Sequence, residues 1–258
     1  MIRPSQAWCA QIDVTNACHM HCSNCTRLLD HARKRFFMSV ECFEQAVLAL
    51  KDFPAESERD PQGRGKVVGI IGGEPLLHPA FPTFVDIMVK HIPKPGHRGL
   101  WTSKDWKTQS HPHYGSYRPH VMRLVGKHEG LGRGEKGGWL NWNMHLRSME
   151  IQHQPTLTAS KDLVPDERER WKLIENCWLQ RSWSPAITPR GFFFCEVAGA
   201  LDAVLGGPGG HVVEPGCWKG ELFFETENGV RRPKGHFAEQ IVGADGFAKN
   251  VGDIVFLR

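Results

Sequence analysis

Residues 10–25 read AQIDVTNACHMHCSNC, a short alternating stretch followed at once by Cys18, Cys22 and Cys25 in a C-x3-C-x2-C spacing. Ala10, Ile12 and Val14 are apolar while Gln11 and Asp13 are polar, the period-two pattern of a strand. Three thiolates on one short loop can wrap one face of a metal centre, whereas a structural zinc site or a cubane cluster needs four ligands. A three-ligand site leaves one metal position open, and an open position is where chemistry occurs. A zinc knuckle with His19 or His21 as the fourth ligand fits the same spacing.

Outward from this loop, strand and helix signals alternate. Ser39 is a good N-cap with Glu41 in the following turn, so a helix is predicted to about Phe53, with Phe43, Val47 and Leu50 on one face. Residues 54–66 are polar and Gly/Pro-rich, the composition of a loop. Residues 66–71 form a β-rich run ending at Gly72-Gly73-Glu74-Pro75, where paired glycines permit positive φ and close approach of the backbone to a ligand. A helix over 81–92 and a strand over 99–102 complete a strand-helix-strand-helix-strand order, the pattern of a parallel α/β layer or barrel. Beyond it, the glycine-rich residues 126–138 are expected to form a loop or lid, 149–158 a strand and 165–177 a helix. From Trp178 onward no clean helical period is visible, and a domain boundary is expected near residue 176.

Together the two motifs resemble the radical S-adenosylmethionine (radical SAM) superfamily, whose members carry C-x3-C-x2-C after the first barrel strand and GGEP after the second. Residues 12–27 and 67–79 carry the match, in the same order and separation. The resemblance implies a partial (β/α)6 TIM-like barrel over residues 1–176. It also implies a four-iron–four-sulfur cluster on Cys18, Cys22 and Cys25, whose fourth iron chelates S-adenosylmethionine. Gly72, Gly73, Glu74 and Pro75 would orient the methionyl amino group, and Thr102 and Ser103 would contact ribose or carboxylate. The implied activity is oxidoreductase-like. An electron from a flavodoxin- or ferredoxin-type donor cleaves S-adenosylmethionine, and a 5′-deoxyadenosyl radical abstracts hydrogen from the substrate. One residue departs from the family pattern: Asn24 stands where an aromatic or apolar residue usually precedes the last cysteine, which bears on adenine packing. The cysteine loop, the GGEP turn and Thr102-Ser103 each follow a predicted strand, so in a barrel all three share one rim.

A second cysteine group, Cys177, Cys195 and Cys217, has Gly191-Phe192-Phe193-Phe194 just before Cys195. It resembles in part the twitch and SPASM extensions, which carry auxiliary iron–sulfur clusters, and places such a domain at 177–258. The spacing differs by one residue and no later C-x2-C pair follows. An auxiliary cluster would accept an electron or hold the substrate, with its missing ligand supplied by substrate, water, a histidine or residues beyond Arg258. Three separately buried thiols are the other reading. Cys9 and Cys42 are expected to be packing residues. Glu150, Gln152 and Gln154 share one face of a predicted strand and could meet substrate in a lumen, while Trp101, Trp106, Trp139 and Trp142 bracket the glycine-rich segment. The G-x-G-x-x-G at 132–137 neither follows a strand nor opens a helix and is set aside, and residues 111–114 are expected to be a solvated loop.

Composition narrows the remaining choices. Of 258 residues, 40% are hydrophobic and 10% aromatic, which argues against dominant disorder. A net charge of +4 is too small to point to nucleic acid, and it suits a small substrate in a buried site. No apolar stretch approaches a membrane span, and the first twenty residues hold no apolar signal region. The cysteines are therefore expected to be reduced, in a cytoplasmic protein. The expected substrate is a small polar metabolite such as a sugar, nucleoside or amino-sugar. A ribosomally made peptide is the second reading, and a non-catalytic zinc or iron–sulfur module is the third.

Overall fold

The computed structural model describes residues 4–20, 22, 25–32, 34–56, 66–102, 114–126, 139–142, 157–175, 185–220, 223–225, 231–233 and 254–256. Its strands are β1 (Cys9–Asp13), β2 (Val67–Ile71), β3 (Arg98–Thr102), β4 (Trp139–Trp142), β5 (Leu157–Ala159), β6 (Ala186–Thr188), β7 (Gly191–Phe193), β8 (Phe223–Glu225), β9 (Arg231–Pro233) and β10 (Ile254–Phe256). Its α-helices are α1 (Val40–Leu50), α2 (Phe53–Glu56), α3 (Phe81–His91), α4 (Tyr114–Val125), α5 (Ser160–Leu163), α6 (Glu167–Glu175) and α7 (Glu196–Leu205). Among the described residues the main sheet has the order β4-β3-β2-β1-β6-β7 and ends at β4 and β7. Every neighbouring pair in it is parallel except the β6–β7 hairpin. The fold is therefore mixed α/β around a mostly parallel sheet. Antiparallel pairs β5–β10 and β8–β9 lie outside that sheet.

The expected alternation over the first hundred residues is present. Ser39 caps α1, its hydroxyl accepting from the Cys42 N–H at 3.2 Å. Phe43 of α1 stacks on Phe84 of α3 with centroids 4.0 Å apart, and both helices bury their apolar faces against Ala10, Ile12, Val14, Val68, Ile70 and Leu100. Two boundaries differ from expectation. The helix predicted to reach Phe53 ends at Leu50, and Pro54, assigned to a loop, sits inside α2. Proline is tolerated in a first helical turn because the N–H it lacks has no partner there.

The two longest of the helices not foreseen are α4 and α7. In α4, Pro119 and polar residues dilute the apolar period; α7 follows an unbroken aromatic run and is closed by Gly206 in the left-handed region (φ 69°). The boundary expected near residue 176 separates in sequence elements that join in space. β6 pairs in parallel with β1, and the Gln11 N–H donates to the Pro185 carbonyl at 2.9 Å. The glycine-rich 127–138, most of the strand expected over 149–158 with Glu150, Gln152 and Gln154, residues 111–113, and Trp106 lie outside the described residues. No described helix is long and apolar enough to cross a membrane.

On the sheet face opposite the main core, Cys9, Val67 and Trp101 pack with Trp8, and the Trp101 ring lies over Gly69. A methyl group on Gly69 would overlap that ring, which is buried and meets Trp8 edge-on at 6.2 Å. Gly69→Ala is therefore expected to lower stability by about 1–3 kcal/mol, read from the urea midpoint. Trp101→Leu in the same background should recover part of the loss.

Candidate functional site

The cysteine loop is pinched shut at its base. The Met38 N–H donates to the Val14 carbonyl (2.9 Å), and the Thr15 hydroxyl donates to the Phe36 carbonyl (2.7 Å). The Asn16 amide donates to the Lys34 carbonyl (2.8 Å) and accepts from the Phe36 N–H (2.7 Å). A loop whose ends meet in this way holds its shape through its own contacts. Within it, the Cys25 N–H donates to the Cys22 carbonyl at 3.2 Å and the Leu28 N–H to the Cys25 carbonyl at 3.1 Å.

The GGEP turn docks onto the root of this loop. The Gly73 N–H donates to the Thr15 carbonyl (2.6 Å) and the Glu74 N–H to the Ala17 carbonyl (2.8 Å). A Cβ on Gly72 would lie 2.5 Å from the Thr15 oxygen. One on Gly73 would overlap the Ala17 carbonyl and lie 3.0 Å from Cys18 Cβ. Neither glycine uses the positive φ that the pair permits. What the pair provides instead is close approach between the two motifs. Glu74 is fully buried, and its Oε1 accepts from the Leu76 N–H (3.1 Å) and the Thr102 hydroxyl (2.7 Å). Pro75 opens a single 3₁₀ turn, Pro75–Leu77. Cys18, Gly73, Glu74 and Thr102 thus form one contiguous patch drawn from the carboxyl ends of three parallel strands. Ser103 lies outside the described residues.

Burial governs the thiols. It pushes Cys18 up to about 12, with the Glu74 carboxylate and the neighbouring Cys25 and Cys22 acting in the same direction. Cys25 is also raised by burial, against the opposing pull of the backbone N–H groups of Leu29, Arg27 and Leu28 and of the Arg27 charge. Thiols held neutral by desolvation lose their protons when a cation supplies the missing charge. Three soft sulfur donors on one loop, mutually close enough to act on one another, therefore match an iron–sulfur or zinc centre in chemistry. Among the described residues, no three His, Cys, Asp or Glu side chains are grouped tightly enough to hold a metal ion as they stand.

The second cysteine group is divided. Cys195 is buried with Leu28, Phe193 and Val197, whereas Cys217 is buried in the main core with Trp218 and is pushed up to about 11 by desolvation. Cys177 lies outside the described residues. Cys9 is fully buried beside Trp8, while Cys42 is only half-buried in the first turn of α1.

One cluster beside the cysteine loop was not foreseen. Gln11 and Asp13 of β1, Arg27 and Glu196 are all buried and meet at the Arg27 guanidinium. Burial pushes Asp13 up to about 6 although Arg27 pulls it down. The alternation of β1 marked Gln11 and Asp13 as one face, but that pattern reads equally as a solvated face.

No family profile matches the chain, and no curated protein matches it. Among solved structures, it is similar to the crystal structure of BtrN in complex with AdoMet and 2-DOIA. The likeness has 15% identity over 74% of this chain and 74% of that one, with a TM-score of 0.39.

Proposed function

We propose that the chain is a radical SAM enzyme of the oxidoreductase type, built on a barrel of that family and acting on a small polar metabolite. The observation that carries this reading is the docking of the GGEP turn onto the cysteine loop through Gly73–Thr15 and Glu74–Ala17, with Thr102 bonded to Glu74. Two motifs separated by about fifty residues of sequence would not need to share a hydrogen-bonded seam if each were only a local turn.

In this reading Cys18, Cys22 and Cys25 hold a four-iron–four-sulfur cluster, and the chain's own residues do the positioning. Gly72 and Gly73 let the turn approach the loop without displacing it. Glu74 is fixed by two donors and places its charge near Cys18. Thr102 holds Glu74 through its hydroxyl and, at the end of β3, would also be placed to contact ribose or carboxylate. The bound cluster and S-adenosylmethionine would supply reductive cleavage and hydrogen-atom abstraction, with electrons from a flavodoxin- or ferredoxin-type partner. Glu74 is fully buried at the root of the site, whereas Cys18 beside it remains partly exposed.

Anaerobic reconstitution followed by iron and sulfide analysis is the test. About four irons with matching sulfide per chain are expected, together with 5′-deoxyadenosine formed from S-adenosylmethionine under dithionite and lost in Cys22→Ala. Zinc without sulfide would overturn the reading in favour of a binding module.

A further inference from the structure

Arg27 lies two residues past Cys25 and is buried. Its Nη2 donates to Gln11 Oε1 (2.8 Å) and to Glu196 Oε2 (2.9 Å), and its Nε lies 3.6 Å from Asp13 Oδ2. Glu196 opens α7 and directly follows Cys195, so one guanidinium joins β1, the cysteine loop and a helix 169 residues away. A buried charge held among buried partners is sharply placed, because each lost contact strands a charge out of water.

The next residue makes a second attachment of a different kind. Leu28 has φ 52° and ψ 38° and is the non-glycine residue with positive φ among those described. That conformation is disfavoured for leucine and persists where the surroundings over-determine it. Here they do: Leu28 is fully buried against Phe193, Cys195, Val197 and Leu201. The Leu28 N–H donates to the Cys25 carbonyl at 3.1 Å, so fixing this turn fixes the backbone that carries the Cys25 sulfur.

We propose that Arg27 and Leu28 form a two-sided clamp, polar on one side and apolar on the other, that locks the Cys25 end of the cysteine loop to the first turn of α7. Arg27 and Glu196 are thereby positioning residues for the Cys25 sulfur, and the Cys25 and Cys195 segments move as one unit. Only the identity of what Cys25 binds rests on the radical SAM reading. The clamp belongs to the chain itself.

Hydrogen exchange on the metal-free protein tests the clamp directly. Glu196→Gln should speed exchange at residues 25–32, and Arg27→Gln should speed it at α7. Each rise should exceed any change in β2 by about tenfold, with the double variant no worse than the worse single one. A uniform rise across all three segments, or silence at the opposite segment, overturns the proposal. If Arg27→Gln fails to fold, Glu196→Gln read at 25–32 decides alone. On the reconstituted protein the midpoint potential adds a readout that mere destabilisation would not move: it should fall when the Arg27 charge is removed and rise when the Glu196 charge is removed. Shifts of one sign in both variants overturn the positioning role. A protein that assembles no cluster yet shows the reciprocal exchange refutes the proposed function and leaves the clamp standing.

Discussion

Gly73→Ala is expected to melt about 10 °C below the parent protein and to fail in cluster assembly. The added methyl has nowhere to go, since it would overlap the Ala17 carbonyl and crowd Cys18 Cβ at 3.0 Å, and the carbonyl is backbone. Relief requires the turn to separate from the loop, which breaks the Gly73–Thr15 and Glu74–Ala17 hydrogen bonds. Overpacking of this kind costs about 1–3 kcal/mol, and each backbone bond adds about 1 kcal/mol. A loss of about 3 kcal/mol in a chain of this size corresponds to the stated shift in melting temperature. On the proposed radical SAM reading, iron loading suffers separately, because the displaced atoms belong to the residue before Cys18 and to Cys18 itself. Gly220→Ala is the matched control: its Cβ would find its nearest neighbour, the Cys217 carbonyl, at 4.0 Å. That variant should melt and load iron as the parent does; a Gly73→Ala protein doing the same would show that the two motifs do not depend on their seam.

The seam also marks where the sequence stops being legible. β1, α1, β2, α3 and β3 could be read because each carries its own periodicity, cap or glycine stop within a dozen residues. The cysteines and GGEP could be read as motifs, but their mutual hydrogen bonds could not, because those are made by backbone groups of Thr15 and Ala17 that carry no side-chain signature. β6 was missed for a different reason. It has three residues, and its partner β1 lies more than 170 positions away, so its register is set by tertiary pairing alone. Gln11 and Asp13 show the sharpest ambiguity. Polar residues alternating with Ile12 look like the wet side of a strand, and only the arrival of Arg27 and Glu196 makes that side dry. The glycines were read as permitting close approach to a ligand; what the structure adds is their close approach to the cysteine loop.

Arg27→Ala is expected to cost about 3–5 kcal/mol at neutral pH, because it removes the cation from a buried set that retains two carboxyl groups. Asp13 and Glu196 then face each other without a counter-charge, and Gln11 loses its donor. The loss should depend on pH in a defined direction. In the parent, Asp13 titrates near about 6 in the fold against a reference of 3.8, raised by burial and by Glu196 and held down by Arg27. A carboxyl raised on folding binds its proton more tightly in the native state. Its contribution to stability is therefore complete below the reference value and is lost as the pH rises through about 6. Without Arg27 the restraint on that rise is gone, so Asp13 holds its proton to higher pH still and the variant gains more than the parent on acidification. Urea unfolding at pH 8 and pH 5 should accordingly show a wide gap between parent and variant that narrows at the lower pH. A gap of equal size at both would mean that the carboxylates escape into water when Arg27 is lost, and that the cluster is held together by packing and not by charge.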